Sequence, residues 1–356
     1  MLSKFSVNKI LVGLTGIIVI GVIMSIFLNY LRNTSEGDLA FPAPNPTHKL
    51  IYSGAISYFA AEDGVRSFKE NYQKLDNISL FWYSLKSDGS ISRHDVISAD
   101  LESTTLAFAK EKQKKVLVGI ENNMEGEKVK LILDNESLRK AHISKILELI
   151  REKGYDGIVV DYEGLEQNQA EAFTQYIKEL STAVHKQGKI VSIAVEIETT
   201  GNVFHGMNVT ELSKIVDRLE LSLYEEYGEE TGSGPIASIG WVNKILKNII
   251  KQGVPPEKII FGTAHSGHDW LKSGQFIKDT TAKEVLLILD KNKKALSFDD
   301  KQDSSFFEYI DDSGKDHIVW VEDVKGYQSK LELAKSYKVL GVFIWYLGGE
   351  DTKIWE

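Results

Sequence analysis

From residue 50 onward the chain repeats one theme: a short apolar, β-rich run followed by a longer stretch of helical period. The runs are Leu50–Phe59, Ile78–Ser84, Val116–Glu121, Gly157–Glu163, Ile190–Ile197, Leu219–Tyr224, Ile259–Ala264 and Val339–Trp345. Between them, Leu138, Ile143, Ile146, Leu147 and Ile150 keep one apolar face, as do Phe173, Ile177, Leu180 and Val184. Trp241, Ile245, Ile249 and Ile250 do the same in a later stretch. Asn135 reads as a helix N-cap and Gly154 as a C-terminal stop. Eight strands alternating with helices over some 300 residues predict a single α/β domain, a (β/α)₈ barrel, rather than a doubly wound sheet. The crossover between the seventh and eighth strands is too long for one helix. Within it, Phe306–Asp323 alternates like a hairpin with its turn at Asp312-Ser313-Gly314, which predicts a small α+β insertion at about 271–335.

The N-terminus carries a different signal. Residues 10–28, ILVGLTGIIVIGVIMSIFL, hold no charge. Nineteen residues at about 1.5 Å each reach roughly 28 Å, close to the hydrocarbon thickness of a bilayer. Lys4 and Lys9 precede the span, while Glu36 and Asp38 follow it, so the positive-inside rule expects a cytoplasmic stub and the rest of the chain outside the cell. We therefore expect residues 1–32 to be stub and single-pass membrane anchor, 33–48 a proline-rich linker, and 49–356 the barrel. Composition narrows the chemistry further. The chain has no cysteine, which excludes disulfides, thiolate nucleophiles and Cys-based metal sites. Its net charge of -9 and lack of a basic run argue against a nucleic-acid partner.

The fourth run reads Tyr155-Asp156-Gly157-Ile158-Val159-Val160-Asp161-Tyr162-Glu163. Side chains alternate along a strand, so Gly157, Val159, Asp161 and Glu163 share one face. In a barrel that face points inward, with Glu163 at the C-terminal rim where such folds carry their chemistry. Asp161 lies two residues below, roughly 7 Å along the strand. Two inward carboxyls this close raise the proton affinity of one of them, and a neutral Glu at the rim can donate a proton to a leaving oxygen. The spacing alone is equally that of acidic residues closing a strand.

This run resembles the fourth-strand signature Asp-Gly-x-Asp-x-Asp-x-Glu of glycoside hydrolase family 18, the chitinase-like barrels, matched by Asp156, Gly157, Asp161 and Glu163. Ser79–Ile91, Leu221–Gly228, Ser233–Val242 and Gly341–Asp351 are similar, in order, to further segments of its spore-cortex-lytic, peptidoglycan-directed branch. The resemblance implies a retaining, substrate-assisted glycosidase that cleaves β-linked N-acetylglucosamine in peptidoglycan or a chitin-like polymer, with no cofactor and no metal. Glu163 would be the general acid and then base, and Asp161 would hold the 2-acetamido group so that its carbonyl oxygen attacks the anomeric carbon. Tyr224 would donate to that group, Trp345 would floor the site, and Glu225 occupies the adjacent carboxylate position. Asp156, as a signature residue, and Trp82, from the aromatic triplet Phe81-Trp82-Tyr83, complete the expected substrate contacts, although alternation sends at least one of the triplet under a helix.

Val159 departs from the family pattern, which has Asp or Asn there. A valine offers no hydrogen bond and desolvates Asp161, pushing its pKa upward. The competing reading is therefore a catalytically weak or inactive glycan-binding protein of the same fold, with an envelope scaffold as a third. His265 and His268, after the seventh run, make too weak a metal motif and read as loop residues near a polar cleft. Asp311, Asp312 and Asp316 read as a solvated turn.

Overall fold

The computed structural model describes Pro42 and residues 47–356, apart from Glu230, His265 and the side chain of Ser266. The expected membrane span and most of the expected linker lie outside these residues. Among the described residues no helix is long and apolar enough to cross a membrane.

The strands in chain order are β1 (Ile51–Ser57), β2 (Asn77–Leu85), β3 (Ile91–Arg93), β4 (Lys115–Glu121), β5 (Gly157–Asp161), β6 (Ile190–Val195), β7 (Arg218–Leu221), β8 (Ile259–Ala264), β9 (Ser266–Leu271), β10 (Phe276–Thr281), β11 (Ser297–Asp299), β12 (Ser304–Ile310), β13 (Asp316–Val321) and β14 (Gly341–Trp345). Eight of them form a parallel ring in the order β1-β14-β8-β7-β6-β5-β4-β2, closed where β2 pairs with β1. The short β3 adds antiparallel to β2 outside the ring. The predicted (β/α)₈ barrel is thus present, and its eight strands fall on the eight sequence runs, with bounds that differ by up to three residues at either end.

Alternation sorts the barrel side chains into two layers. Ala55, Phe81, Leu117, Val159, Ile260 and Phe343 meet inside the ring. Their chain neighbours, among them Ile56, Leu80, Trp82, Val118, Ile158, Val160, Phe261 and Val342, point outward and are covered by the helices. The helix Glu136–Lys153 shows how the sequence sets these bounds. Asn135 Oδ1 accepts from the Leu138 N–H at 3.0 Å, satisfying a first-turn amide, and Gly154 at φ 79° ends the helix in a left-handed turn. Apolar residues of the helices Ala170–His185 and Ile239–Lys251 are buried as their period predicts.

A second, antiparallel sheet, β10-β9-β13-β12-β11, is inserted between β8 and β14, with the helix Ala282–Asn292. The hairpin expected at Phe306–Asp323 is β12–β13, turning through residues 311–315. The insertion begins earlier and ends earlier than the expected 271–335. Ser266–Leu271, in the stretch expected to be a loop after the seventh run, is a strand that pairs with β10 and β13 rather than with the barrel. The helix Val324–Tyr337 belongs to the barrel ring, where Tyr337 donates from its hydroxyl to Asn243 Oδ1 at 2.7 Å on the helix Ile239–Lys251.

Candidate active site

At the C-terminal ends of the barrel strands opens a cleft of about 760 Å³ lined by Asp161, Glu163, Tyr224, Glu225, Phe343 and Trp345, among others. Its floor is aromatic. Trp345 ends β14 and lies parallel to the Tyr224 ring at 6.2 Å and 6° between planes, while Phe81 meets Trp345 edge-on at 5.2 Å. Room for this arrangement depends on Gly262 of β8. A Cβ there would fall 2.6 Å from Tyr224 Cε1 and 2.5 Å from Phe343 Cζ, closer than carbon atoms approach.

β5 delivers the carboxyls. Asp161 is its last residue and Glu163 follows just beyond, both facing the cleft, while Tyr162 between them points away into the helix layer, its hydroxyl 2.7 Å from His142 Nε2. The backbone at Glu163 is held by one side chain. Its N–H donates to Asn122 Oδ1, and Asn122 Nδ2 donates to its carbonyl oxygen, both at 2.9 Å. Asn122 is fully buried, so this two-point clamp works away from water.

Burial raises the Glu163 pKa to about 7, with Glu196, Glu225 and Glu121 adding repulsion. For Asp161, too, burial is the first cause of a pKa well above the usual carboxylate range, followed by Glu163, Glu121, Glu220 and Glu196. Val159 lies beneath it in the apolar interior, and among the described residues the Asp161 carboxyl finds no hydrogen-bond partner. The direction is the one expected beside Val159, with burial as a whole and the neighbouring carboxyls as its causes. Tyr224 follows β7, which ends at Leu221, earlier than the sequence run; its hydroxyl donates to Ser222 Oγ at 3.2 Å. Glu225 lies beside it, its pKa also raised by burial.

Two expected contacts are not in the cleft. Trp82 is fully buried in the outward layer, because it is Phe81 that shares the inward face; the register of β2 on β4 shifts at this point, between Phe81 and Tyr83. Asp156 precedes β5 at the opposite end of the barrel, about 16 Å from Asp161 at ~3.3 Å per residue. There its Oδ2 accepts from the Val116 N–H at 3.0 Å, stitching β5 to β4. Asp156 is a structural residue for strand pairing. His265 lies outside the described residues, and His268 sits on a strand rather than a loop, buried beside the cleft.

The sequence reading missed Glu196, Glu198, Glu220 and Phe81, all of which line the cleft. The signal was present. Ser192, Ala194 and Glu196 repeat on β6 and just past it the two-residue period that marks Asp161 and Glu163 on β5, and Arg218, Glu220 and Ser222 repeat it along β7.

A barrel with a proton-holding glutamate at its rim, a second carboxyl below it and an aromatic floor is the architecture of a sugar-cleaving hydrolase. The chain belongs to glycosyl hydrolases family 18, whose model matches residues 55–350. It is 24% identical over 298 residues to the uncharacterized glycosylase YvbX of Bacillus subtilis (strain 168), spanning 80% of this chain and 86% of that protein. It is 26% identical over 266 residues to the cortical fragment-lytic enzyme of the same organism, spanning 71% of this chain and 61% of the relative. The fold is shared with the crystal structure of the Bacillus cereus spore cortex-lytic enzyme SleL, at a TM-score of 0.78 and 21% identity over 88% of this chain and 74% of that one.

Proposed function

We propose that the protein is a retaining, substrate-assisted glycosidase that cleaves beside a β-linked N-acetylglucosamine residue of peptidoglycan or a chitin-like envelope glycan. The observation that carries the reading is Glu163, held at the rim with a pKa near 7 directly above Asp161. A sugar stacked over Trp345 sits with its 2-acetamido group toward Asp161 and the Tyr224 hydroxyl. Glu163 gives its proton to the glycosidic oxygen as the bond to the anomeric carbon breaks. The acetamido carbonyl oxygen closes onto that carbon, forming an oxazolinium ring, so the protein supplies no nucleophile. The Glu163 carboxylate then takes a proton from a water that adds to the same carbon, reopening the ring with retained configuration. Asp161 accepts the amide N–H, which its carbonyl oxygen does even when the carboxyl is neutral. The similarity to a cortical fragment-lytic enzyme supports an envelope glycan as the substrate.

In the same reading residues 10–28 anchor the chain in the cell membrane, the linker 33–48 spans outward, and the domain 49–356 works outside the cell. The uncharged apolar run with lysines before it supports this. Val159, and the Asp161 carboxyl left without a partner, favour a second reading, a glycan-binding protein with little turnover. The test is the full-length chain against purified peptidoglycan and N-acetyl-chitooligosaccharides, beside Glu163→Gln. Reducing ends released by the native chain and lost in the variant are expected. Equal binding by both with no release sinks the hydrolase and leaves the binder.

A further inference from the structure

Asp161 has Val159 beneath it, and among the described residues no donor hydrogen-bonds to its carboxyl. What stands beside it comes from the neighbouring strand. Glu121 ends β4 and pairs in parallel register with Asp161, the last residue of β5. Leu117 faces the barrel interior, so the two-residue period turns Gly119 and Glu121 to the same side. Two carboxyls therefore leave adjacent backbones, about 4.8 Å apart, at one level of the barrel. Glu121 is held where Asp161 is not. Its Oε1 lies 2.8 Å from His94 Nε2, and its Oε2 accepts from the Asn123 N–H. Two donors favour a negative charge on Glu121, and none favours one on Asp161.

His94 is fixed in turn. Its ring lies flat on Tyr58, with 3.8 Å between centroids and 10° between planes. Its backbone N–H donates to the Trp82 carbonyl at 2.9 Å, and its carbonyl accepts from the Ile97 N–H at 3.0 Å. The His94 and Glu121 side chains are 15% and 14% exposed, so little water competes for the bond between them. Neither residue lines the cleft, so both act on a bound sugar only through the carboxyls that do. The other ionisable groups near Asp161 are Glu163 past the end of β5, Glu196 past β6, Glu220 on β7, and Tyr224. Glu220 is offset by the Arg218 guanidinium and accepts from Ser192 Oγ at 2.6 Å. Among the described residues no lysine or arginine lines the cleft, so no cation there answers Asp161.

We propose that His94 is a positioning residue that acts through Glu121: it fixes the Glu121 charge beside Asp161, so that Asp161 meets the acetamido group of the substrate as a neutral acid. The inference rests on the cleft binding an N-acetylated sugar, as proposed above, and adds two residues that the sugar does not touch. Val159 beneath and Glu121 beside push Asp161 the same way, one by withholding a donor and the other by adding like charge. Without His94 the Glu121 side chain is free to swing toward solvent, and its hold on Asp161 weakens.

The test is a carbon-13 NMR titration of the Asp161 carboxyl in the full-length chain, its signal assigned by its loss in Asp161→Asn. Glu121→Gln keeps the shape and removes the charge, and should lower the Asp161 midpoint by about one pH unit, a tenfold change in proton affinity. His94→Phe keeps a ring on Tyr58 and removes the hydrogen bond, and should move the midpoint the same way by less. His94→Gln, which restores a donor, should bring most of that shift back. In a Glu121→Gln background His94→Phe should add nothing, a non-additivity that a merely structural role does not produce. Where the chain cleaves glycan, the pH profile of kcat should move toward acid in step. A midpoint unmoved by Glu121→Gln, or a His94→Phe shift that persists undiminished without the Glu121 charge, overturns the proposal and leaves the glycan cleft intact. A native chain that neither binds nor cleaves N-acetyl-chitooligosaccharides overturns the glycan reading, and the titration still decides the pair.

Discussion

On the proposed mechanism, the proton on Glu163 sets where the enzyme works on the pH scale. An ordinary glutamate titrates at 4.5, whereas this one titrates at about 7. At pH 6 a group with a pKa of 7 is roughly 90% protonated, against about 3% for one at 4.5, a thirtyfold difference in the population able to donate. Because the pKa is raised, the donating form is present below about 7 and is lost as pH rises through it. The basic limb of kcat/KM is therefore expected near pH 7, with about a tenfold fall between pH 6 and 8. Burial is the largest cause and Glu196 the charged neighbour that adds most. Glu196→Gln should accordingly move the limb toward acid yet leave it well above 4.5. The assay is a pH–rate profile on a chromogenic N-acetylglucosamine oligosaccharide at constant ionic strength, with native chain and variant side by side. A basic limb at 4.5–5, or none up to pH 9, would refute the assignment of Glu163 as a buried acid.

The same shift bears on stability. A carboxyl with a raised folded-state pKa favours the folded protein below its unfolded value and loses that advantage as pH climbs through the folded one. The domain should melt at a lower temperature at pH 8 than at pH 5, Glu163 alone accounting for at most about 3 kcal/mol, and Glu163→Gln should flatten the difference in a scanning calorimeter. Asn122→Ala removes both hydrogen bonds that fix the Glu163 backbone and should cut kcat roughly 10- to 100-fold with little change in KM, as misplacement of a reacting group does. Val159→Asn should raise kcat by giving Asp161 a partner while costing about 1–3 kcal/mol in denaturant unfolding, the cost of a polar group in an apolar layer. Phe81→Ala should weaken oligosaccharide binding, whereas Trp82→Phe should lower the melting temperature and leave KM in place.

Much of this molecule was legible as text. The eight barrel strands stand out because each is a compact apolar run, and β5 announced its own orientation. Two carboxyls at two-residue spacing can face a cleft, whereas facing the helix layer they would be buried without partners. That anchor was missing in β2, whose nine residues are all buried, so the period told Phe81 from Trp82 without saying which of them points inward. Asp156 was assigned to the sugar by its match to the signature alone, although the strand direction that puts Glu163 at the C-terminal rim already sets Asp156 at the other end of the barrel. Glu196 and Glu220 obeyed the same alternation as Asp161 and went unread, since each belongs to the site only once the ring closes. The place of His268 depends on which strands β9 pairs with, a long-range fact that no local pattern carries.

Ring closure has a further consequence. Ile51 of β1 pairs with Gly341 of β14, and the same last strand delivers Trp345. During synthesis the first strand, already beside β2, therefore waits for almost three hundred residues before its second neighbour exists, and until then the nascent barrel keeps two raw edges exposed. Contacts this distant in sequence make folding slow and leave open edges prone to pairing with other chains. An unfinished barrel also lacks its aromatic floor, so a chain stalled before β14 holds Glu163 without the Trp345 face on which, in the proposed mechanism, the sugar stacks. On that mechanism activity reports completed closure, and a half-made chain does not attack the glycan.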